Sequence, residues 1–277
     1  MTSILIPFDY SETAENALQY AISLFEETEV QFTLLNIYIS NRSELMSDDY
    51  NNKWFDEVDN DAEKKMNNYI QGCNQFSEDN HHFQGVVKAN TFINAVKDAV
   101  IEKKIDVVVT GTEGARSLKE EFIGTNTMKV INHLDNLPIL VVPFNYSYKP
   151  LKKIIFSTNF KRDFSKNELQ SLLEISTKKR TNIEVVWLSD EQYLSLKQKA
   201  NKKLLEMIFE EYDVTFKRID WIDSETTSLE NHIENSQSDM LALINHKLSF
   251  FSRLTEENVI KKSTFHSKVP LLILPEL

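Results

Sequence analysis

The sequence predicts an α/β protein of two doubly wound domains, each with a parallel five-stranded sheet and helices on both faces. The length of 277 residues suits two domains of roughly 140 residues each. Short strand-like runs alternate with helix-like segments along the chain, and this alternation begins again in the second half. Alternating strands and helices are typical of parallel sheets, because a parallel connection needs a crossover.

The first half contains five β-branched runs that we interpret as strands. They are Ser3–Phe8, Gln31–Tyr38, Phe83–Lys88, Ile105–Thr110 and Pro138–Val142. Apolar residues at helical spacing separate several of them, and Ser11 is placed to cap the first helix with Glu12 and Glu15 in its first turn. The polar and acidic stretch from Ile39 to about Lys65 is interpreted as a long loop that enters the second helix.

The second half repeats the order of the first. Its predicted strands are Lys153–Thr158, Ile183–Leu188, Val214–Ile219, Asp239–Ile244 and Val269–Leu274, and its predicted helices are Ser165–Lys179, Asp190–Tyr212, Thr226–Ser236 and Glu256–His266. In the alignment of the halves, Asp9 matches Asn159 and Asp106 matches Asp239. A repeat this long indicates a domain duplication. We place the domains at 1–145 and 146–277, joined by a short polar connection.

Composition and charge narrow the classes of partner. The formal net charge of −11 disfavours nucleic acid and acidic membrane surfaces as partners. No apolar run is long enough to span a bilayer, and the amino terminus resembles a strand rather than a secretory signal, so we expect a cytoplasmic protein. The single cysteine, Cys73, is interpreted as a packed small residue. The scattered histidines do not suggest a metal site.

One motif stands out for chemistry. The run Val107–Thr110 leads into Gly111 and Gly114, and nine residues later Gly124 precedes Thr125 and Asn126, which gives the pattern G-x2-G-x9-G-T. Glycines after a parallel strand let the backbone approach a ligand closely, and the amides of a following helix suit phosphate. The spacing fits neither a dinucleotide fingerprint nor a Walker loop. The alternative is that the glycines form tight turns and that Asp9 is a turn or capping carboxylate.

The glycine motif and two strand segments of the first half resemble those of a known protein family. Ile4 to Ser11, the glycine pattern and Ile139–Pro143 resemble the universal stress proteins, and the resemblance extends over both halves. It implies five-stranded parallel sheets of strand order 3-2-1-4-5, and in that family the glycine motif marks members that bind ATP or AMP.

The resemblance also implies roles for particular residues. Asp9 would meet the ribose or phosphates and Ile37 the adenine. The ribose and phosphates would be held by Gly111, Gly114, Gly124, Thr125 and Asn126, and Pro7 is included among the nucleotide contacts. Ala89-Asn90 departs from the family, which often has a glycine there. Arg116 and Lys119 could meet terminal phosphates or simply face solvent.

The second half departs from the motif. The positions of Gly111, Gly114, Gly124 and Thr125 are taken by Ile244, Lys247, Glu257 and Asn258. We therefore expect nucleotide in the first domain only. Asn245-His246-Lys247 and Phe250-Phe251 are interpreted as packed loop rather than as a second site.

The expected function is that of a stress or regulatory protein that binds ATP or AMP, with Mg²⁺ allowed beside ATP, and acts on protein partners that the sequence does not identify. We also expect the two fifth strands to pair as an internal pseudo-dimer, with a homodimer left open. Two rival functions are a slow ATPase and an interaction scaffold that binds no nucleotide. No catalytic residues are assigned.

Overall fold

The fold was analysed in a computed structural model. It describes residues 1–38, 48–112, 125–245 and 268–277, with the backbone alone between 48 and 59. The strands of the first half are β1 (Thr2–Pro7), β2 (Val30–Tyr38), β3 (His81–Ala89), β4 (Val107–Gly111) and β5 (Ile139–Val142). Its helices are α1 (Glu12–Leu24), α2 (Asp48–Phe76), α3 (Phe92–Lys103) and α4 (Thr125–His133).

The second half follows the same succession. Its strands are β6 (Lys153–Ser157), β7 (Asn182–Trp187), β8 (Val214–Arg218), β9 (Met240–Ile244) and β10 (Leu271–Leu274). Its helices are α5 (Lys166–Lys179), α6 (Leu196–Ile208) and α7 (Glu225–Ser236), with a short 3₁₀ turn at Glu191–Tyr193 before α6.

The strands form one continuous sheet of ten strands in the order β3-β2-β1-β4-β5-β10-β9-β6-β7-β8. Each half has the order 3-2-1-4-5, and every pairing within a half is parallel. The halves join where β5 and β10 pair antiparallel, with Leu140 opposite Leu272. The predicted α/β fold is confirmed, and the strand order relates the halves by a pseudo-two-fold axis at this seam.

Asp106 and Asp239 show that the repeat extends to individual hydrogen bonds. The Asp106 carboxylate accepts a hydrogen bond of 2.8 Å from the backbone N–H of Ser3, where β1 begins. Asp239 accepts one of 3.0 Å from the N–H of Lys153, where β6 begins. The alignment of these two aspartates therefore corresponds to the same structural role in each half.

Two apolar layers enclose the sheet. Buried residues of α1, α2, α5 and α6 form the layer on one face, and those of α3, α4 and α7 form the layer on the other. The central strands are buried on both faces, which explains their nearly continuous apolar sequences. Within the described ranges, no helix combines the length and apolarity needed to cross a membrane.

The long loop predicted for residues 39–65 is wrong from Asp48 onward, because α2 begins there. No glycine or proline interrupts the sequence between 39 and 71, so nothing in this polar stretch stops a helix. Its later turns pack on the sheet: Met66 is 1% exposed, and a Cβ on Gly85 of β3 would lie 2.2 Å from Cγ of Met66.

The single helix predicted for Asp190–Tyr212 is also wrong, because a new helix starts at Leu196. Ser195 and Gln198 form a capping box: the Ser195 hydroxyl accepts from the Gln198 N–H at 3.2 Å, and the Gln198 side chain accepts from the Ser195 N–H at 3.0 Å. The helix predicted for Glu256–His266 lies outside the described residues.

Candidate functional site

The candidate residues that the structure describes gather at the carboxyl edge of the first half of the sheet. Strands β1 and β4 are neighbours there, and the chain leaves them in opposite directions toward β2 and β5. Such a switch point opens a crevice outside the strand ends, which is where open α/β sheets bind ligands. Pro7 ends β1 and Asp9 comes two residues later, Ile37 is near the end of β2, and Gly111 ends β4.

Asp9 forms the turn between β1 and α1. Its Oδ1 accepts a hydrogen bond of 3.0 Å from the N–H of Ser11, and Tyr10 between them has a φ of 63°. The Ser11 hydroxyl then accepts from the N–H of Ala14 and caps α1, as the sequence predicts. Asp9 is thus a turn residue, and its carboxylate is also exposed at the crevice.

Gly111 is close to the first turn of α1. A Cβ at this position would lie 2.4 Å from Cγ2 of Thr13 and 2.8 Å from its carbonyl oxygen. Packing against α1 therefore requires glycine at this position, whether or not a ligand binds. Gly111 does not have the positive φ that glycine allows, and neither does any other described glycine.

Threonine side chains connect β4 to α4. The Thr127 hydroxyl donates to the carbonyl oxygen of Gly111 at 2.8 Å, and the Thr112 hydroxyl accepts from the N–H of Phe144 at 3.1 Å. All three threonines of this cluster, Thr110, Thr112 and Thr127, are buried. They hold the start of α4 beside the end of β4, with Thr125 and Asn126 exposed at its first turn.

The rest of the glycine motif lies outside the described residues. This applies to Gly114 and Gly124, and to the two basic residues between them, Arg116 and Lys119. What the structure does describe is where the motif starts, at Gly111, and where it ends, at Thr125.

Ile37 is half-buried and packs against the apolar layer on the α3 and α4 face. The preceding residue, Asn36, donates from its side chain to the carbonyl oxygen of Phe8 at 2.8 Å, which connects the ends of β2 and β1. Asn90 follows β3, and its Oδ1 accepts from the N–H of Thr91 at 2.7 Å.

Three residues that shape this crevice were missed by the sequence reasoning: Thr13, Asn36 and Thr127. Each acts through a contact with a residue far away in the chain. Only the position of Thr127 within the first turn of α4, directly after the glycine motif, gives a sequence signal.

The second half keeps the turn and changes the helix. Asn159 Oδ1 accepts from the N–H of Lys161 at 3.0 Å, and Phe160 between them has a φ of 56°. The cap of α5, however, is Ser165, six positions after Asn159, whereas Ser11 is two positions after Asp9. Because the helix begins one turn later, we infer that the end of β9 has room for Ile244, which is 9% exposed.

An ion pair occupies the start of α5. Glu168 is 1% exposed and pairs with Arg162, while its carboxylate also accepts from the N–H of Ser165 at 2.9 Å and of Leu277 at 3.0 Å. Burial raises the pKa of the Glu168 carboxyl, but these hydrogen bonds and the Arg162 charge outweigh burial and bring the pKa below its usual value. The carboxyl terminus is thereby fastened to the second half.

No group of three or more His, Cys, Asp or Glu residues suited to a metal ion occurs in the described part of the chain. The residues at the crevice are instead an exposed carboxylate, backbone amides at the start of α4 and an apolar side chain. Such a set can hold a ligand that has phosphate, hydroxyl and apolar ring groups.

A doubly wound α/β sheet with a crevice at its switch point defines the class of protein. A sequence profile described as the universal stress protein family matches residues 1–143. The chain belongs to this family.

A universal stress protein of Methanocaldococcus jannaschii is 26% identical in an alignment of 152 residues that covers 50% of this chain and 93% of that protein. Among solved structures, a universal stress protein from Archaeoglobus fulgidus DSM 4304 aligns with 99% of this chain and 98% of its own, with a TM-score of 0.70 and 14% identity. A structure from Pseudomonas aeruginosa UCBPP-PA14, described as a putative universal stress protein, covers 99% and 93% with a TM-score of 0.59 and 11% identity. These two structures share the fold over both halves.

Proposed function

We propose that this chain binds ATP or AMP at the crevice of its first half and that the bound nucleotide changes a surface presented to protein partners. One observation carries the proposal: the Asp9 turn and the two described ends of the glycine motif lie at the same switch point, between β1 and β4. A turn carboxylate alone, or a glycine motif alone, would be weaker support.

The roles follow from position and chemistry. The exposed Asp9 carboxylate accepts hydrogen bonds from the ribose hydroxyls or organises the phosphate side. The amides near Thr125 and Asn126 at the start of α4, together with the backbone at Gly111, Gly114 and Gly124, hold the phosphates. Ile37, half-buried at the end of β2, provides apolar contact for adenine, and Pro7 lies between these positions on β1.

The second half binds no nucleotide in this proposal. Ile244 stands where Gly111 stands in the first half, and the late start of α5 moves the helix away from the turn at Asn159. The domains are proposed to be 1–145 and 146–277, a division supported by the seam between β5 and β10. The second domain then serves as a partner to the first and as interaction surface.

A slow ATPase is the second candidate, and the Asp9 turn favours it. Only Oδ1 of Asp9 is engaged in the turn, and the residue is exposed, so its other oxygen could bind Mg²⁺ beside the phosphates. Asp9→Asn distinguishes the two functions, because an ATPase that depends on this metal ion would lose turnover, whereas a binding protein would lose only affinity.

The proposal is tested by native mass spectrometry of gently purified protein. We expect a mass increment that matches one adenine nucleotide per chain, either as purified or after incubation with ATP or AMP. Protein that stays free of nucleotide at millimolar ATP would leave the scaffold function as the remaining explanation.

A further inference from the structure

The two outer strands of the sheet, β3 and β8, differ in how their free edges are protected. In a parallel ladder, every second residue of an outer strand turns its backbone N–H and C=O groups away from the neighbouring strand. On β3, the outward N–H of His81 donates to the carbonyl oxygen of Glu78 at 3.0 Å. Both outward groups of Phe83 bond to the side chain of Asn74, its N–H at 3.0 Å and its carbonyl oxygen at 3.1 Å. Part of the β3 edge is therefore closed by α2 and the turn after it, which keeps another strand from pairing there.

The edge of β8 has no such cover. The register places Ile183 of β7 opposite Val214, and the N–H of Ile183 donates to the carbonyl oxygen of Asp213 at 2.9 Å. The alternation then turns the backbone groups of Val214, Phe216 and Arg218 outward. Within the described residues, none of these outward groups has a hydrogen-bond partner. The β8 edge is therefore open to another strand.

The outward residues of β8 are arranged symmetrically about Phe216. If β8 pairs antiparallel with β8 of a second copy, Phe216 lies opposite Phe216 of that copy and Val214 lies opposite Arg218 of that copy. Residues opposed in this way exchange both of their N–H···O bonds, so all the outward groups gain partners. Because the same surface is used by both copies, the contact closes at a dimer.

The charge along this segment favours an antiparallel second copy. Glu211 and Asp213 come just before β8, whereas Lys217 and Arg218 end it. Antiparallel pairing places the basic end of one copy beside the acidic approach of the other, whereas parallel pairing would place like charges together. It also sets Lys217 opposite Thr215 of the second copy, so no like charges are directly opposed.

The cations at this end remain accessible. Lys217 is exposed and has no ion pair among the described residues. Arg218 pairs with Asp190 at 3.1 Å and with Asp220 at 2.7 Å, yet 41% of its side chain is exposed. A second copy can therefore approach Lys217 without first breaking an ion pair.

Apolar side chains are exposed in the segments on either side of β8. Met207 of α6 is 62% exposed, and Trp221 and Ile222, which follow the strand, are 61% and 56% exposed. The end of α6 lies beside β8, since the ring centres of Phe209 and Phe216 are 6.5 Å apart. Exposed apolar groups around an open strand edge are typical of a surface that pairs with another chain.

We propose that β8 is the self-association surface of this protein, at which two copies pair antiparallel about a two-fold axis at Phe216 and extend the sheet. The β3 edge, which Asn74 closes, takes no strand. Since β8 is at the opposite end of the strand order from β1 and β4, the contact does not rest on the proposed nucleotide binding.

Sedimentation of the full chain over a range of concentrations tests the dimer. We expect a dimer at submillimolar concentration that dissociates on dilution. Val214→Pro removes an outward N–H at the first position of β8, where proline leaves the ladder to β7 intact. It should weaken the dimer by about tenfold or more, because each dimer loses two hydrogen bonds. Val214→Ala keeps the N–H and should change the dissociation constant by no more than about twofold.

Amide hydrogen exchange, followed by NMR, locates the contact without a substitution. Exchange at the outward amides of β8, those of Val214, Phe216 and Arg218, should slow as the concentration rises. Exchange at Val87 and Ala89, the outward residues at the end of β3, should not. A monomer at submillimolar concentration, an open-ended assembly, equal effects of the two Val214 variants, or concentration-dependent protection on β3 in place of β8 would each overturn the proposal. If Val214→Pro does not fold, the exchange comparison decides.

Discussion

Gly111 at the end of β4 lies against Thr13 in the first turn of α1, so closely that a Cβ on Gly111 would be 2.4 Å from Cγ2 of Thr13. The first residue of the glycine motif is thus held by packing between two elements of the first half. The second half has Ile244 at this position and starts its helix four residues later after the turn. The early start of α1 leaves room only for glycine at position 111, whereas the later start of α5 leaves room for the side chain of Ile244.

This contact predicts that Gly111→Ala destabilises the protein whether or not nucleotide is present. We expect a loss of about 1–3 kcal/mol in the free energy of unfolding, because Thr13 and its backbone must shift. Thr13→Ala combined with Gly111→Ala should recover only part of the loss, since the Thr13 carbonyl oxygen would still be 2.8 Å away. Urea denaturation measures the effect.

Gly72 provides the matched control for that substitution. It lies within α2, and a Cβ there would meet nothing within 4 Å. Gly72→Ala should therefore stabilise the protein by about 0.5–1 kcal/mol, as glycine is a poor helix former. Equal effects of the two alanine substitutions would contradict the packing account of Gly111.

Asp9→Asn is expected to distinguish the role of Asp9 in the turn from its role in ligand binding. Asn159 makes the same turn in the second half with a bond of 3.0 Å, so asparagine at position 9 should preserve the turn and change thermal stability little. Affinity for both ATP and AMP should fall by about tenfold, because a charge-assisted hydrogen bond becomes a neutral one. Calorimetry with and without Mg²⁺ measures this.

The control is Asn159→Asp, which should leave nucleotide affinity unchanged. A loss of ATP affinity that occurs only with Mg²⁺, together with loss of hydrolysis, would instead assign Asp9 to a metal ion and support the ATPase.

Much of the fold follows from sequence pattern. The alternating runs predicted all ten strands to within a few residues. The central strands were the clearest, because strands covered on both faces must be apolar throughout. The Ser11 cap was also predicted, since capping chemistry is local. The amino end of α2 was not, because its many acidic and amide side chains leave few apolar residues to mark a helical period.

The candidate site likewise has residues that local sequence patterns indicate and contacts that they do not. Asp9, Gly111 and Thr125 could be selected as candidates because each ends or follows a strand or opens a helix in the linear sequence. The contact between Gly111 and Thr13 joins residues nearly one hundred positions apart, and no pattern in a single sequence encodes such a distance. The fastening of Leu277 to Glu168 is equally non-local.

Glu168 is predicted to make the second half sensitive to acid. Its folded-state pKa lies below the usual value of 4.5, so its contribution to stability is complete above that pH and is lost as the pH falls through the lower, folded-state pKa. Glu168→Gln should cost about 2–4 kcal/mol at neutral pH, because Arg162 would lose its buried partner. The variant should also show a weaker loss of stability on acidification.

Glu174→Gln is the matched control on the same helix. Glu174 is exposed and hydrogen-bonds only to Gln170 within the described chain, so the change in unfolding free energy should stay below about 0.5 kcal/mol. If the acid titrations of the wild type and of both variants coincide, the role of Glu168 is refuted.

The seam between β5 and β10 predicts the behaviour of a divided chain. Co-expressed segments 1–145 and 146–277 should copurify as a one-to-one complex, because Leu140 and Leu272 bury two sheet edges against each other. Leu140→Asp in the first segment should abolish copurification by placing a charge at this buried pair. Two folded segments that do not associate would contradict the role of the seam in joining the halves.

Nucleotide stoichiometry tests the central claim most directly. Isothermal titration of the full chain with ATP, and separately with AMP, should give one site per chain, lost in Gly114→Val and Gly124→Val because branched side chains would fill the space for phosphates. Lys247→Gly in the second half should not create another site. One equivalent that disappears in both valine variants is the predicted result, and two equal sites, or a single site untouched by either valine, would contradict the account.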